Sequence, residues 1–137
     1  MRILVVGAGA LGGYFGGRLV EAGRDVAFLV RPRRAEQIAR HGLRIESPHG
    51  NADLRPRTVL AGAVEGKYDL ILLAVKAYAL GPETTVLPVL NGMLHLDVLA
   101  ARFGPERVLG GVAQIRATLG PEGQVRHLGR MHELAFG

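Results

Sequence analysis

Apolar residues along this chain gather in short runs, separated by glycine, proline and charged residues. The first run, Arg2–Val6 ("RILVV"), is short, β-branched and bounded by glycine, which predicts a buried strand. Ala10–Ala22 predicts a helix. In it Leu11, Tyr14, Phe15, Leu19 and Val20 fall near the spacing of an apolar stripe, and Gly23 supplies a stop. Asp25–Val30 ("DVAFLV") predicts a second strand. Pro32 marks the start of a second helix, which runs over Arg33–Arg40 to a stop at Gly42. "LRIES" and "DLRPRTVL" alternate as two short antiparallel strands around the "PHGN" turn. Tyr68–Val75 ("YDLILLAV") is the most apolar run, as expected of a central strand covered on both faces. "TTVLPVL" predicts another strand, weakened by Pro88. His95–Phe103 predicts a helix and "RVLGGVAQI" a strand. After Pro121-Glu122-Gly123 come two strand-like pieces, "QVRHL" and "HELAFG".

Strand–helix–strand alternation at this spacing argues for an α/β fold: a doubly wound, mostly parallel sheet with helices on both faces. One stretch resists that plan. Eight residues separate Val75 from Thr84, whereas a crossover between parallel neighbours takes about a dozen or more. Either the two flanking strands are not parallel neighbours, or a segment near Ala79–Gly81 is missing from the chain. The second alternative is the expectation here.

Between the first strand and the first helix stands "GAGALG", a G-x-G-x-x-G pattern. Its context gives it meaning, because an apolar strand precedes it and an amphipathic helix follows. Gly7 permits the tight turn, Gly9 lets a pyrophosphate approach the backbone, and Gly12 lets the helix pack against the strand. The helix then offers free N–H groups and the positive end of its dipole to phosphates. No Gly-Lys-Ser/Thr follows, which excludes a P-loop. The alternative is a merely structural glycine turn.

A site that prefers NAD usually carries Asp or Glu at the end of the second strand, where it holds a ribose 2′-hydroxyl. Here the chain reads "FLVRPRR", and Arg31 takes that place. A guanidinium pairs with a 2′-phosphate in bidentate fashion. The expected cofactor is therefore NADP(H), with Arg31 as the main contact and Arg33 or Arg34 assisting. The other reading is a solvated arginine face. Lys76 in "AVKAY" follows the central strand at its carboxyl end, where ligands of open α/β sheets bind. It can face a phosphate or a carboxylate, or be a surface lysine. In "LPVLNGM", Asn91 either caps the next helix or places its amide over the nicotinamide as a donor to a substrate oxygen.

Composition adjusts this picture. The chain has 137 residues, enough for one ordinary domain. No apolar run approaches the ~18–20 residues of a membrane span. Met1 leads straight into a strand, leaving no room for a secretory leader. Cysteine is absent, which excludes disulfides and thiolate chemistry and fits a reducing cytoplasm. The net charge of +5, nearly all arginine, suggests anionic partners. The basic residues are scattered apart from "RPRR", and seven Phe and Tyr with no Trp make no stacking platform, which argues against nucleic acid. His41, His49, His95, His127 and His132 show no metal-ligand spacing and read as surface residues, and Asp69 and Glu21 read as solvated.

Taken in order, "RILVVGAGALGGYFGGRL", "LVRP", "ILLAVKAY", "LPVLNGM", "RVLGGVAQIRATL" and "HELAFG" resemble ketopantoate reductases (2-dehydropantoate 2-reductases) over nearly the whole chain. The glycine loop is shared by many families, and "VKAY" followed by "LNGM" is far more specific. The resemblance implies a Rossmann-like NADP-binding domain over residues 1–137. It also implies NADPH-dependent reduction of 2-dehydropantoate to pantoate, on the way to pantothenate and coenzyme A. It carries the cofactor loop onto Gly7, Ala8, Gly9, Ala10, Leu11 and Gly12. It carries the 2′-phosphate contact onto Arg31, further cofactor contacts onto Lys76 and Ala117, and a shared cofactor and substrate contact onto Asn91.

Two departures stand out. The helix that the family has between "VKAY" and "LNGM" is mostly absent here, in line with the crossover argument. The family's helical C-terminal domain, with its general-acid lysine, is not in this chain, and neither Lys67 nor Lys76 matches that lysine. The fragment is thus expected to bind NADPH and to turn over negligibly alone. Competing expectations are a reductase of another 2-keto acid and a non-catalytic NADP(H)-binding module. Pairing into a homodimer is one way to cover apolar surface.

Overall fold

The computed structural model describes residues 1–74 and 84–137. Along the chain run β1 (Arg2–Val6), α1 (Ala10–Glu21), β2 (Asp25–Leu29), α2 (Pro32–His41), β3 (Leu43–Glu46), β4 (Ala52–Leu54) and β5 (Arg57–Val59). Then come β6 (Leu70–Leu73), β7 (Thr85–Pro88), α3 (Leu94–Phe103), a 3-10 turn at Pro105–Arg107, β8 (Gly111–Leu119) and β9 (Val125–Phe136). Five strands form a sheet in the order β5-β2-β1-β6-β7, and every pairing in it is parallel.

That sheet is buried on both faces, which is why its strands read as continuous apolar runs. Ile3, Val5, Val26, Phe28 and Leu72 point to one side, toward Tyr14 of α1 and Ile38 of α2. Leu4, Val6, Ala27, Ile71 and Leu73 point to the other, toward Leu99 of α3. Each of the larger side chains among them, fully withdrawn from water, contributes about 1.5–3 kcal/mol. α1, α2 and α3 thus cover the sheet from both sides, as the alternation of elements implies.

A second sheet, in the order β4-β3-β9-β8, packs against the far side of α1. The helix lies between the two sheets, and of the stripe's large residues Leu11, Phe15, Leu19 and Val20 are not among its most buried positions. Those positions are Gly12, Gly13, Gly16 and Gly17, together with Tyr14. A Cβ on Gly16 would stand 2.8 Å from the Phe28 ring and 2.9 Å from Val5, both in the parallel sheet. A Cβ on Gly13 would stand 2.7 Å from Val125, and one on Gly17 2.6 Å from Ile45, both in the second sheet. The paired glycines recur four residues apart, so each pair member lines one flank of the helix. Both sheets approach the helix backbone through them.

Three expectations need correction. "LRIES" and the start of "DLRPRTVL" do pair antiparallel, as β3 with β4. The rest, beyond Pro56, leaves that hairpin and joins the parallel sheet as β5 beside β2. "QVRHL" and "HELAFG" are one continuous strand, β9, which pairs antiparallel with β8 and parallel with β3. The strand expected over "RVLGGVAQI" begins later, at Gly111, because Pro105–Arg107 form a 3-10 turn and Val108 makes only an isolated bridge to Val86. β6 and β7 are parallel neighbours, so of the two explanations for the short crossover the first is excluded. The suspected omission near Ala79–Gly81 lies outside the described residues. No helix among those described is long and apolar enough to cross a membrane.

Candidate functional site

Strands β1, β2, β6 and β7 end in register, Val6 beside Leu29 and Leu73, and Leu73 beside Pro88. Gly7, Arg31, Ala74 and Asn91 therefore all follow strands that end at one edge of the sheet. From β1 the chain passes through α1 to β2 on one side, whereas β6 lies on the other. That reversal between β1 and β6 is the point where open α/β sheets leave a ligand crevice.

The glycine loop is built at this point. Gly7 has φ +97°, a conformation that glycine tolerates, and its N–H donates to the Leu29 carbonyl at 2.9 Å. A Cβ on Gly12 would strike the Gly7 carbonyl oxygen and stand 3.0 Å from the Ala74 Cβ. Gly9 differs, since among the described residues nothing lies within 4 Å of where its Cβ would be. It is the N-cap of α1, no side chain caps that end, and the first turn holds no acidic residue. Among the described residues, the helix's first N–H groups and its positive dipole end have no anionic partner. Ala8, Ala10 and Leu11 complete the turn, and Ala8 is buried. A cradle with open room over Gly9 and an uncapped helix end fits a dinucleotide's diphosphate.

Arg31 is the N-cap of α2, extended at φ −72° and ψ 154°, with an exposed side chain beyond the end of β2. Arg33 is exposed as well. Arg34 is half-buried and engaged within the protein. Its Nε donates to the Ala8 carbonyl at 2.9 Å, and one Nη donates to Gln37 Oε1 at 2.6 Å and to the Gly123 carbonyl at 2.8 Å. Burial pulls its pKa below the usual arginine value.

Asn91 is exposed beyond β7 and does not cap α3. The N-cap there is Met93, and no side chain bonds to it. Ala117 is half-buried on β8 of the second sheet, opposite His127 and just past a register shift at Ile115. Lys76 lies outside the described residues.

Sequence reading missed the tie from Arg34 to the loop and a histidine cluster behind α1. His127 is buried rather than on the surface, and its Nδ1 lies 2.9 Å from Ser47 Oγ. His49 stacks on His132 with ring centroids 3.8 Å apart. No spacing signal joins positions 49, 127 and 132, because β9 brings them together only through its pairings with β3 and β8. Among the described residues no group of three His, Asp or Glu is placed to hold a metal ion. Glu21 and Asp69 are not merely solvated. Glu21 pairs with Arg18 at 2.6 Å, and Asp69 accepts the Arg2 backbone N–H at 2.6 Å.

A parallel sheet with a glycine-lined βα turn at its switch point, followed by a helix, defines a Rossmann-like domain. Within that class, the family model described as ketopantoate reductase PanE/ApbA matches residues 3–137, and the chain belongs to this oxidoreductase family. An uncharacterized oxidoreductase of Bacillus subtilis, YkpB, is 43% identical over 100% of this chain and 48% of its own length. A solved 2-dehydropantoate 2-reductase from Geobacter metallireducens GS-15 superposes with TM-score 0.86 at 36% identity, covering 100% of this chain and 49% of that one. D-mandelate dehydrogenase, solved with NADH and anilino(oxo)acetate, superposes with TM-score 0.82 at 32% identity, over 94% of this chain and 46% of that one. The chain spans about half the length of the curated relatives it matches.

Proposed function

We propose that this chain is the NADPH-binding part of a reductase that converts 2-dehydropantoate to pantoate, in the cytoplasmic synthesis of pantothenate and coenzyme A. The observation that carries the reading is the open, uncapped amino end of α1 behind Gly7, Gly9 and Gly12. Arg31, exposed on the same edge where an acid would favour NAD, supports the 2′-phosphate. When bound, NADPH supplies a hydride for the ketone carbon. The chain's residues hold the cofactor: the Gly7–Gly12 loop takes the diphosphate, Arg31 the 2′-phosphate, and Lys76 and Ala117 add contacts. Asn91, exposed after β7, offers an amide donor to the oxygen that gains charge during reduction. The lysine that protonates that oxygen belongs to the remainder of the reductase, so the chain alone turns over negligibly.

The reading also holds that the link between β6 and β7 lacks residues that relatives carry. In support, the alignment to the Bacillus subtilis relative runs over 148 positions, more than the 137 residues here. A second reading, reduction of a different 2-keto acid, draws support from the likeness to D-mandelate dehydrogenase. Calorimetric titration of the chain with NADPH and with NADH tests the cofactor assignment, tight NADPH binding and weak NADH binding being expected. Equal affinities reject the role of Arg31. A panel of 2-keto acids on the full-length reductase then separates the two substrates.

A further inference from the structure

The guanidinium of Arg34 joins two backbone carbonyls from distant parts of the chain, Ala8 in the glycine loop and Gly123 in the hairpin between β8 and β9. We propose that Arg34 is a positioning residue for the dinucleotide: by holding the Ala8 carbonyl it aims the Gly9 N–H at the diphosphate, and the hairpin holds Arg34 in place. This inference rests on the cofactor reading above.

The Ala8 carbonyl and the Gly9 N–H belong to one planar trans peptide, so they point in opposite directions. Fixing the carbonyl fixes the N–H. The Arg34 bond at 2.9 Å does so from the α2 side. Gly9 lacks the side chain that would restrict its own backbone, so the peptide needs an external restraint. A flipped peptide would turn a carbonyl oxygen, rather than an N–H, toward a phosphate. A charged donor on the carbonyl also polarises the peptide and strengthens the N–H as a donor.

Arg34 is itself held on the other side. One Nη bonds both Gln37 Oε1 and the Gly123 carbonyl. Gln37 Nε2 donates to the Glu122 carbonyl at 2.8 Å, and Arg44 pairs with the Glu122 carboxylate at 2.5 Å. The turn Gly120–Gly123 is closed by the Gly123 N–H on the Gly120 carbonyl at 2.9 Å. Gly123 has φ +77°, and a Cβ there would collide with the side chains of Gln37 and Arg34. Glycine is therefore required for the hairpin to sit against α2 at this distance. The second sheet thus buttresses the nucleotide loop through a single side chain.

The electrostatics agree with this geometry. The half-buried guanidinium bonds only neutral oxygens, and among the described residues its other Nη has no partner. A half-buried cation with no carboxylate partner among the described residues is an unfavourable arrangement. An anion on the far side of the Ala8–Gly9 peptide relieves it. Lysine is a poor substitute, because an ammonium on a flexible stem lacks the planar fork that spans two carbonyls.

The test is NADPH titration of the 15N-labelled chain as wild type, Arg34→Met, Arg34→Lys and Ile71→Val, following affinity, the Gly9 amide resonance and the thermal midpoint. Expected is an affinity loss of about tenfold in Arg34→Met with a reduced Gly9 shift, and a partial recovery in Arg34→Lys. Ile71→Val, in the core on the sheet face away from α2 and the hairpin, lowers the midpoint and leaves affinity and the Gly9 shift as in the wild type. Wild-type affinity and an unchanged Gly9 shift in Arg34→Met overturn the proposal, and so do equal losses in Arg34→Met and Ile71→Val. Should Arg34→Met fail to fold, wild-type behaviour of Arg34→Lys overturns it instead. A wild-type chain that does not bind NADPH overturns the cofactor reading and this inference with it. Normal wild-type binding with indifference to Arg34 overturns this inference alone.

Discussion

The Tyr14 hydroxyl and His132 Nδ1 lie 2.7 Å apart, joining the first helix to the last strand. The His132 ring stacks on His49, with His127 5.8 Å away, and the Arg18 guanidinium stands 5.3 Å over the Tyr14 ring. Desolvation under these rings, and then the charges of His49, His127 and Arg18, hold the His132 pKa below its ordinary 6.5. The folded state therefore resists the proton that the unfolded chain accepts. The stability this group contributes is complete above pH 6.5 and is lost as pH falls below it. Thermal midpoints should drop between pH 7 and pH 5, and His132→Phe, which keeps a ring but no titration, should flatten that slope. Equal slopes in the two proteins would remove His132 as the source.

Two glycines of one loop should separate folding from binding. Gly12→Ala drives a methyl into the Gly7 carbonyl, and a cost of about 1–3 kcal/mol is expected from such overpacking. Gly9→Ala meets open space, so stability should change by no more than roughly 0.5 kcal/mol. In the proposed reading its methyl nevertheless occupies the diphosphate's approach, and NADPH affinity should fall at least tenfold, or about 1.4 kcal/mol. Urea denaturation and NADPH titration on both variants check the pair. Undiminished NADPH binding by Gly9→Ala would contradict the placement of the diphosphate.

Arg31 sets the choice of cofactor in the proposed reading. Reversing its charge with Arg31→Glu should weaken NADPH about tenfold or more, since a charge-assisted bidentate contact becomes a repulsion. NADH, which has only a 2′-hydroxyl there, should bind as well as before or better. The ratio of the two dissociation constants is the readout.

Gly17 and Ile45 should couple. Gly17→Ala improves helix propensity by about 1 kcal/mol, yet its methyl would stand 2.6 Å from Ile45 Cδ1. Net destabilisation of roughly 1–2 kcal/mol is expected from the crowding. Ile45→Val removes that terminal methyl, so the double variant should be more stable than the sum of the two single effects. A denaturation double-mutant cycle measures the coupling.

The parallel sheet was legible because both of its faces are apolar, and such strands announce themselves as uninterrupted runs such as "YDLILLAV". The glycine turn was legible because a tight passage from β1 into α1 requires glycines at a fixed local spacing. The second sheet was harder to see. β5 and β4 are three residues each on either side of Pro56, too short for their alternation to say which sheet each joins. β9 reads as two pieces because Gly129 and Arg130 interrupt its apolar positions in mid-strand. The stripe on α1 drew attention to Leu11, Phe15 and Leu19, whereas the closest contacts run through glycines that no hydrophobic pattern marks. The grip of Arg34 on Ala8 and Gly123 joins sites far apart in sequence, so "RPRR" read only as positive charge.

The four glycines that let both sheets close on α1 have a consequence for ligand capture. A helix clamped along both flanks has no slack at its amino end, so the amides that would greet a phosphate are already aligned before any encounter. Little backbone entropy remains to be lost there on association, and recognition can proceed as docking onto a rigid seat rather than as the ordering of a loose one.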